Sequence, residues 1–263
     1  MRMSRKSHRG KSSRQAQMNI GAQESTSVPS VTDIQHANSI RFEPKNARQR
    51  HHMRSIQENQ LTLVLGPSGT GKTHVSIAAL ADGILRGRHY RAVLMRPAIA
   101  LENEEHGFLP GSLDAKVGPW AKPMLRKLTK LIGASRVLGM LSDGHIEICP
   151  FTYLRGDEFE DRTFVMLDEA QNCTIAQLRA FTTRIADGAT IVIAGDIEQH
   201  DMRGRSGFDV LHELIDASPD INCGIAQYRK EDIVRGALCQ SFVDMWGHYD
   251  RGLTDVRTLV AAE

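Results

Sequence analysis

A mostly parallel β-sheet covered by helices on both faces is the fold this sequence predicts, on three observations. Short apolar runs recur at residues 61–65, 92–95, 146–148, 164–167, 189–194 and 221–225. Helix-like stretches lie between them, at 72–85, 113–132, 174–185 and 207–217, with a short helix at 47–57 and a last one at 230–246. Alternation of this kind builds parallel sheets through crossover helices. Finally, a glycine-rich segment separates the first strand from the helix after it.

That segment, Gly66-Pro67-Ser68-Gly69-Thr70-Gly71-Lys72-Thr73, directly follows the apolar run Leu61-Thr62-Leu63-Val64-Leu65. Glycines let successive backbone N–H groups turn inward on an anion without a Cβ clash. A helix beginning at Lys72 aims the positive end of its dipole at the same place. The Lys72 ammonium reaches β- and γ-phosphates in such a loop, and the Thr73 hydroxyl is a Mg²⁺ ligand. The segment therefore predicts ATP with Mg²⁺ as ligands.

The run Phe164-Val165-Met166-Leu167 ends in Asp168-Glu169. A parallel strand delivers its C-terminal end to the ligand crevice. Asp168 is expected to hold Mg²⁺ through its water shell, and Glu169 to polarise the attacking water as general base. The second acid favours hydrolysis over transfer to a small-molecule acceptor, and so argues against a P-loop kinase. The strand at 190–194 ends in Gly195-Asp196-Ile197-Glu198-Gln199. An amide there can sense the γ-phosphate, which makes Gln199 the candidate sensor.

The bulk numbers restrict the rest. The chain has 263 residues, 41% hydrophobic and 24% charged, with net charge +2; a sizeable core is possible, and the net charge identifies no polyanionic partner. Residues 1–40 are rich in Ser, Gln, Arg and Lys, with Arg2, Arg5, Lys6, Arg9, Lys11 and Arg14 and no acid before residue 15. They read as a disordered basic tail, either a solvated extension or a nucleic-acid-binding arm. Residues 41–250 read as the folded domain and 251–263 as a second tail. Cys149, Cys173, Cys223 and Cys239 are scattered without a CxxC, which suits a reducing compartment. No apolar run approaches the ~18 residues of a membrane span, and no secretory h-region follows the basic start. The expectation is a cytoplasmic protein without a membrane partner.

Taken in order, GPSGTGKT, Arg96-Pro97-Ala98, Gly107-Phe108-Leu109-Pro110-Gly111, Tyr153-Leu154-Arg155-Gly156, Leu167-Asp168-Glu169-Ala170-Gln171-Asn172, Thr183-Arg184-Ile185, Gly195-Asp196, Ser206-Gly207 and Asp232-Ile233-Val234-Arg235 resemble the PhoH-like family of P-loop NTPases. The resemblance covers residues 44–246 and implies a single RecA-like core of helicase type. It implies ATP hydrolysis coupled to single-stranded RNA or DNA, as a helicase or translocase. It places Gln49 at the adenine edge, and puts His52 where an aromatic is more usual. No second core repeats the pattern, so analogy implies a homo-oligomeric ring, a hexamer, with ATP at the subunit interface. Such a site needs a cation against the γ-phosphate; Arg235, Arg184 and Arg155 are the candidates. A compact chain without a fused domain also fits a phage-encoded member.

Arg96 matches the helicase-like motif after the second strand, and the resemblance implies a contact with a polynucleotide phosphate; Trp120 and Tyr153 can stack on bases or pack in the core. Lys116, Lys122, Lys127 and Lys130 read as a solvated basic face. The alternative function is a module in which ATP controls assembly without unwinding.

Overall fold

The computed structural model describes residues 40–97, 121–151, 158–197 and 204–250; the described elements lie in the unit Ala37–Glu263. In chain order they are α1 (Ala47–Glu58), β1 (Leu61–Leu65), α2 (Lys72–Leu85), β2 (Arg91–Arg96), α3 (Lys122–Ile132), α4 (Ala134–Ser142), β3 (Ile146–Pro150), β4 (Thr163–Leu167), α5 (Ile175–Thr182), β5 (Thr190–Gly195), α6 (Gly207–Asp216), β6 (Cys223–Gln227) and α7 (Ala237–Asp250), with 3-10 turns at Ala170–Asn172 and Lys230–Asp232.

The six strands form one sheet in the order β3-β2-β4-β5-β1-β6, and every pairing is parallel. This is the α/β, P-loop NTPase architecture the sequence predicts. Strand residues alternate between the two faces. Val64, Leu94, Met166 and Val192 pack with Ile77 and Leu80 of α2, Met124 and Leu128 of α3 and Val137 of α4. Leu63, Leu65, Val165, Leu167, Ile191 and Ile193 pack with Leu178 and Phe181 of α5 and Phe208 of α6. Burial on both faces is why β1 and β4 are apolar apart from Thr62 and Thr163, with all five residues of each buried.

Capping explains several boundaries. The Asn46 side chain accepts from Gln49 N and starts α1. Thr174 and Gln177 form a reciprocal capping box, so α5 begins after Thr174; it ends at Thr182, short of the expected residue 185. Gly133, with φ +87°, ends α3 and lets α4 begin at once; α4 is a helix the sequence reading lacked. Of the expected helix at 113–132, residues 113–120 lie outside the described set.

The last helix differs most from expectation. The stretch read as helical from residue 230 is a 3-10 turn followed by extended chain, and α7 starts only at Ala237. Val234 N donates to Gly69 O (3.2 Å), so this segment spends its backbone hydrogen bonding on the phosphate loop rather than on a helix.

Inside α2, Gly83 faces the ring of His89, which lies edge-on to Phe164 with centroids 5.2 Å apart. A Cβ at Gly83 would be driven into that ring. Gly83→Ala is therefore expected to destabilise by ~1–3 kcal/mol, despite a helix-propensity gain of about 1 kcal/mol. Urea denaturation of Gly83→Ala, His89→Ala and the double variant checks this. The alanine should recover its helical advantage once the ring is gone.

Candidate nucleotide-binding site

The sheet register sets the site. Leu65 of β1 pairs with Gly195 of β5, Ile193 of β5 with Leu167 of β4, and Met95 of β2 with that same Leu167. The C-terminal ends of four strands thus present the phosphate loop, Asp196, Asp168-Glu169 and Arg96 along one edge.

In the loop, Gly66, Gly69 and Gly71 have φ of +133°, +90° and +95°, conformations that side-chain-bearing residues resist. Space forbids a Cβ as well: at Gly66 it would lie 2.7 Å from Tyr228 Cβ, and at Gly71 2.7 Å from Gln49 Nε2. Thr70 donates to Pro67 O (2.9 Å), closing the loop, and Ser68 is exposed at its tip. The Lys72 ammonium folds back to donate to the carbonyls of Gly66 and Pro67. Burial lowers its pKa, opposed by the carboxylates of Asp196, Glu169 and Asp168.

Next along α2, the Thr73 hydroxyl lies 3.1 and 3.0 Å from the two carboxylate oxygens of Asp168. Asp168 is buried, and burial followed by the neighbouring Glu169 charge pushes its carboxyl up to about 6, against the pull of Arg96, Thr73 and Lys72. A hydroxyl and a carboxylate side by side are the hard oxygen donors Mg²⁺ takes, usually one or two from protein with the rest from water and substrate phosphates. Among the described residues no cluster of three His, Cys, Asp or Glu side chains supplies a protein-only cage. The residues fit a Mg²⁺-bound nucleoside triphosphate.

Glu169 sits in the left-handed region at φ 57°, ψ 40°, which costs a non-glycine residue ~1–3 kcal/mol. The chain turns there into the 3-10 segment, where Asn172 N donates to Glu169 O (3.1 Å). Arg96 Nη2 is 3.2 Å from Glu169 Oε1, and Gln171 Nε2 donates to Oε2 (2.7 Å). The other end of the Gln171 amide accepts from Asp196 N (3.1 Å). Gly195 has no room for a Cβ, which would meet Phe208 Cδ1 at 2.7 Å and Gln171 Oε1 at 3.0 Å. The Gly-Asp pair that resembles an ordinary turn in sequence is fixed by that approach.

Two flanking segments hold the loop from behind. Gln49 is buried; its Nε2 donates to Thr70 O (2.9 Å) and its Oε1 accepts from Lys45 N (2.9 Å). One N–H and one lone pair of the amide remain for a further partner. His52 is wholly buried, 2.9 Å from the Tyr228 hydroxyl and 3.2 Å from Ser76 Oγ. Burial, then the charges of His51 and Lys72, push its pKa down to about 3. A neutral imidazole tying α1 to α2 and to the residue after β6 does not stack on a base, so the position carries a core polar bridge instead.

On the other side, Arg235 Cδ lies 3.3 Å from where a Cβ on Gly69 would stand, beside Ile233 Cγ2 at the same distance. Arg235 therefore stands over its own phosphate loop. Arg184 lies near the opposite edge of the sheet, where the adjacent Ile185 bridges to Phe159 ahead of β4. Gln199, Arg155, Tyr153, Trp120 and Lys116 lie outside the described residues.

Lys127 of α3, read as part of a solvated face, is half-buried. Burial lowers its pKa, and the charges it feels are those of Asp168, Arg235, Lys130 and Arg96. It joins the site from a helix whose lysine spacing is that of any solvated surface, so no sequence signal separates it. Gln171 was legible only as a neighbour of the acids.

Asp168 binds its proton more tightly folded than unfolded. Its cost is therefore absent below its unfolded pKa near 4 and grows as pH rises through about 6. Without nucleotide or metal, Asp168→Asn is expected to be more stable than the parent at pH 8, on the order of 2–3 kcal/mol, and to lose that advantage below pH ~4. Chemical denaturation across this range is the measurement.

In comparison with known proteins, the family described as PhoH-like protein matches residues 41–247. Protein PhoH of Escherichia coli K12 is 37% identical over 198 residues, covering 74% of this chain and 55% of that protein. The PhoH-like protein of Mycobacterium tuberculosis H37Rv is 34% identical over 209 residues, 79% of this chain and 58% of that one. The PhoH-like protein of Bacillus subtilis 168 is 34% identical over 218 residues, 82% and 66%. The chain thus spans 55–66% of the length of these curated relatives. Among solved structures, a Sulfolobus solfataricus SWI2/SNF2 ATPase core in complex with dsDNA matches with TM-score 0.40 and 16% identity, over 60% of this chain and 32% of that one. A Walker-type ATPase of Pyrococcus abyssi matches with TM-score 0.29 and 16% identity, over 72% and 53%. No described helix is long and apolar enough to cross a membrane.

Proposed function

The chain belongs to the PhoH-like family of P-loop ATPases, and from that premise we propose that it binds and hydrolyses ATP with Mg²⁺, coupled to single-stranded RNA or DNA in a cytoplasmic homo-oligomeric ring. The observation that carries the hydrolytic reading is the placement of Thr73, Asp168 and Glu169 beside the Lys72 ammonium at one strand edge. Family resemblance alone supports the polynucleotide and the ring.

The backbone N–H groups of residues 66–71 and the start of α2 bind the triphosphate, and Lys72 exchanges its carbonyl partners for phosphate oxygens. Thr73 and Asp168 hold Mg²⁺, which supplies charge neutralisation on the β- and γ-phosphates. Glu169 takes the proton of the attacking water, and Gln199 senses the γ-phosphate. Gln49 directs the adenine edge from its seat against Thr70. Arg235, standing over Gly69, neutralises charge on the transferring phosphoryl group in cis.

A second reading, ATP-controlled assembly, has its own observation. Leu238, Phe242, Met245 and Trp246 lie along α7 at helical spacing and are exposed, and α7 follows directly on the segment bonded to Gly69.

Steady-state hydrolysis with and without single-stranded RNA or DNA separates the two. Coupling requires stimulation by one polymer, with Lys72→Ala and Glu169→Gln each reducing turnover by about 10²-fold or more; hydrolysis indifferent to both polymers favours assembly. Mixing Lys72→Ala with Arg235→Ala subunits locates the arginine. A cis residue leaves the mixture as inactive as its parts, whereas recovered turnover would mean that Arg235 acts across an interface.

A further inference from the structure

We infer that Arg96 and Gln171 are positioning residues that fix the direction of the Glu169 carboxylate, and that a phosphodiester of single-stranded nucleic acid releases it by taking the Arg96 guanidinium. The inference deepens the reading of Glu169 as general base and rests on it.

A general base needs a carboxylate lone pair open to the water it deprotonates. Here each oxygen has one donor, Arg96 Nη2 at 3.2 Å from Oε1 and Gln171 Nε2 at 2.7 Å from Oε2; the side chain is 35% exposed, and these two donors set the direction in which its remaining lone pairs point. Gln171 is anchored at its other end by Asp196 N, and the left-handed backbone of Glu169 fixes where its side chain starts. The carboxylate is therefore held rather than merely near a cation.

Of the two holds, Arg96 is the one a ligand can reach. Gln171 is buried, whereas the Arg96 side chain is 30% exposed. The sheet order determines which ligand that is. β2 stands three strands from β1, ~14 Å at the ordinary strand spacing. Glu169, following β4, lies between Arg96 and the phosphate loop. An anion that draws the guanidinium outward thus arrives from the side away from the triphosphate. Lys127 and Lys130 on α3 add positive charge in the same neighbourhood. A phosphodiester competes well for this group, because phosphate and carboxylate accept the same planar fork of guanidinium donors.

Competition for one guanidinium is reciprocal. If polynucleotide frees Glu169, then Glu169 must weaken polynucleotide binding, even without ATP. A labelled single-stranded oligoribonucleotide and its deoxy counterpart are titrated by fluorescence anisotropy with wild type, Glu169→Gln, Arg96→Ala and the double variant. Half-exposed ion pairs are worth up to ~1 kcal/mol, so Glu169→Gln should tighten binding about two- to fivefold. Arg96→Ala should weaken it, and the double variant should match Arg96→Ala alone. Arg96→Lys, which keeps the charge but not the fork, should retain partial binding and control for folding.

A gain from Glu169→Gln that persists without Arg96 would reduce the effect to general charge and overturn the inference, as would no gain. Loss of the gain on adding a non-hydrolysable ATP analogue would make the nucleotide the anion that takes Arg96, which also overturns it. Binding that shows no coupling leaves the polynucleotide-coupled ATPase standing. Coupled binding without any hydrolysis sinks the ATPase and keeps the ion-pair competition. No binding by any variant sinks both.

Discussion

Two acids on consecutive residues at the end of a buried strand are hard to place, and much of this structure is arranged around them. Asp168 follows five fully buried residues of β4 and is itself buried, with its pKa raised by desolvation and then by Glu169. Left alone, a carboxylate in such a place takes up a proton and ceases to be a metal ligand. The neighbours act against that. Thr73 donates to Asp168, Lys72 and Arg96 pull its pKa down, and Lys127 faces it from α3. The left-handed turn at Glu169 sends the second acid to its own partners, Arg96 and Gln171. The strain of that turn is supported by contacts on every side, which is the condition under which strained backbone persists.

These partners come from β2, α2, α3 and the 3-10 turn after β4, and the parallel register brings them level. Because Met95 and Leu167 pair across one strand gap, Arg96 and Asp168 leave the sheet at the same height. Asp168 N donates to Met95 O (2.9 Å), which extends the ladder one step past β4. A slip of one residue in either pairing would turn these side chains to the opposite face. The two-sided apolar core therefore specifies the site's geometry as well as the fold, since slipping any strand would also expose its buried set.

Much of this is legible in the sequence. β1 and α2 occur within the bounds read from the apolar run and the glycines, because both signals are local. Thr73 and Asp168 meet as their motifs imply. What was not legible depends on contacts between distant segments. Asn46 Nδ2 reaches Asp232 O at 3.4 Å across 186 residues, and no local pattern announces it. The stretch at 230–246 carries a poor helix former at Gly236, directly before the helix begins at Ala237, and the phosphate loop, by accepting Val234 N at Gly69 O, holds its first part out of the helix. His52 stands where an aromatic is more usual in the family, and nothing local shows it to be a buried bridge, because its partners are Tyr228 and Ser76. Lys127 has the spacing of a solvated face, and its value comes from where α3 packs on α2.

The same distant contacts give the phosphate loop a function beyond holding phosphate. Gln49 holds Thr70 from the N-terminal side, while Val234 and Arg235 hold Gly69 from the C-terminal side. Tyr228 presses on Gly66 and shares its hydroxyl with His52, so the two flanks are joined behind the loop. α7 continues from the C-terminal flank with an exposed apolar face. Fewer than ten residues of chain (counting from Tyr228 to Gly236) join that face to the segment behind the phosphate loop. Arg96 and Glu169 provide the corresponding connection on the opposite flank of the site. An anion arriving at β2 would act on Glu169 and a partner arriving at α7 would stand next to the phosphate loop, so the two flanks address different parts of one site.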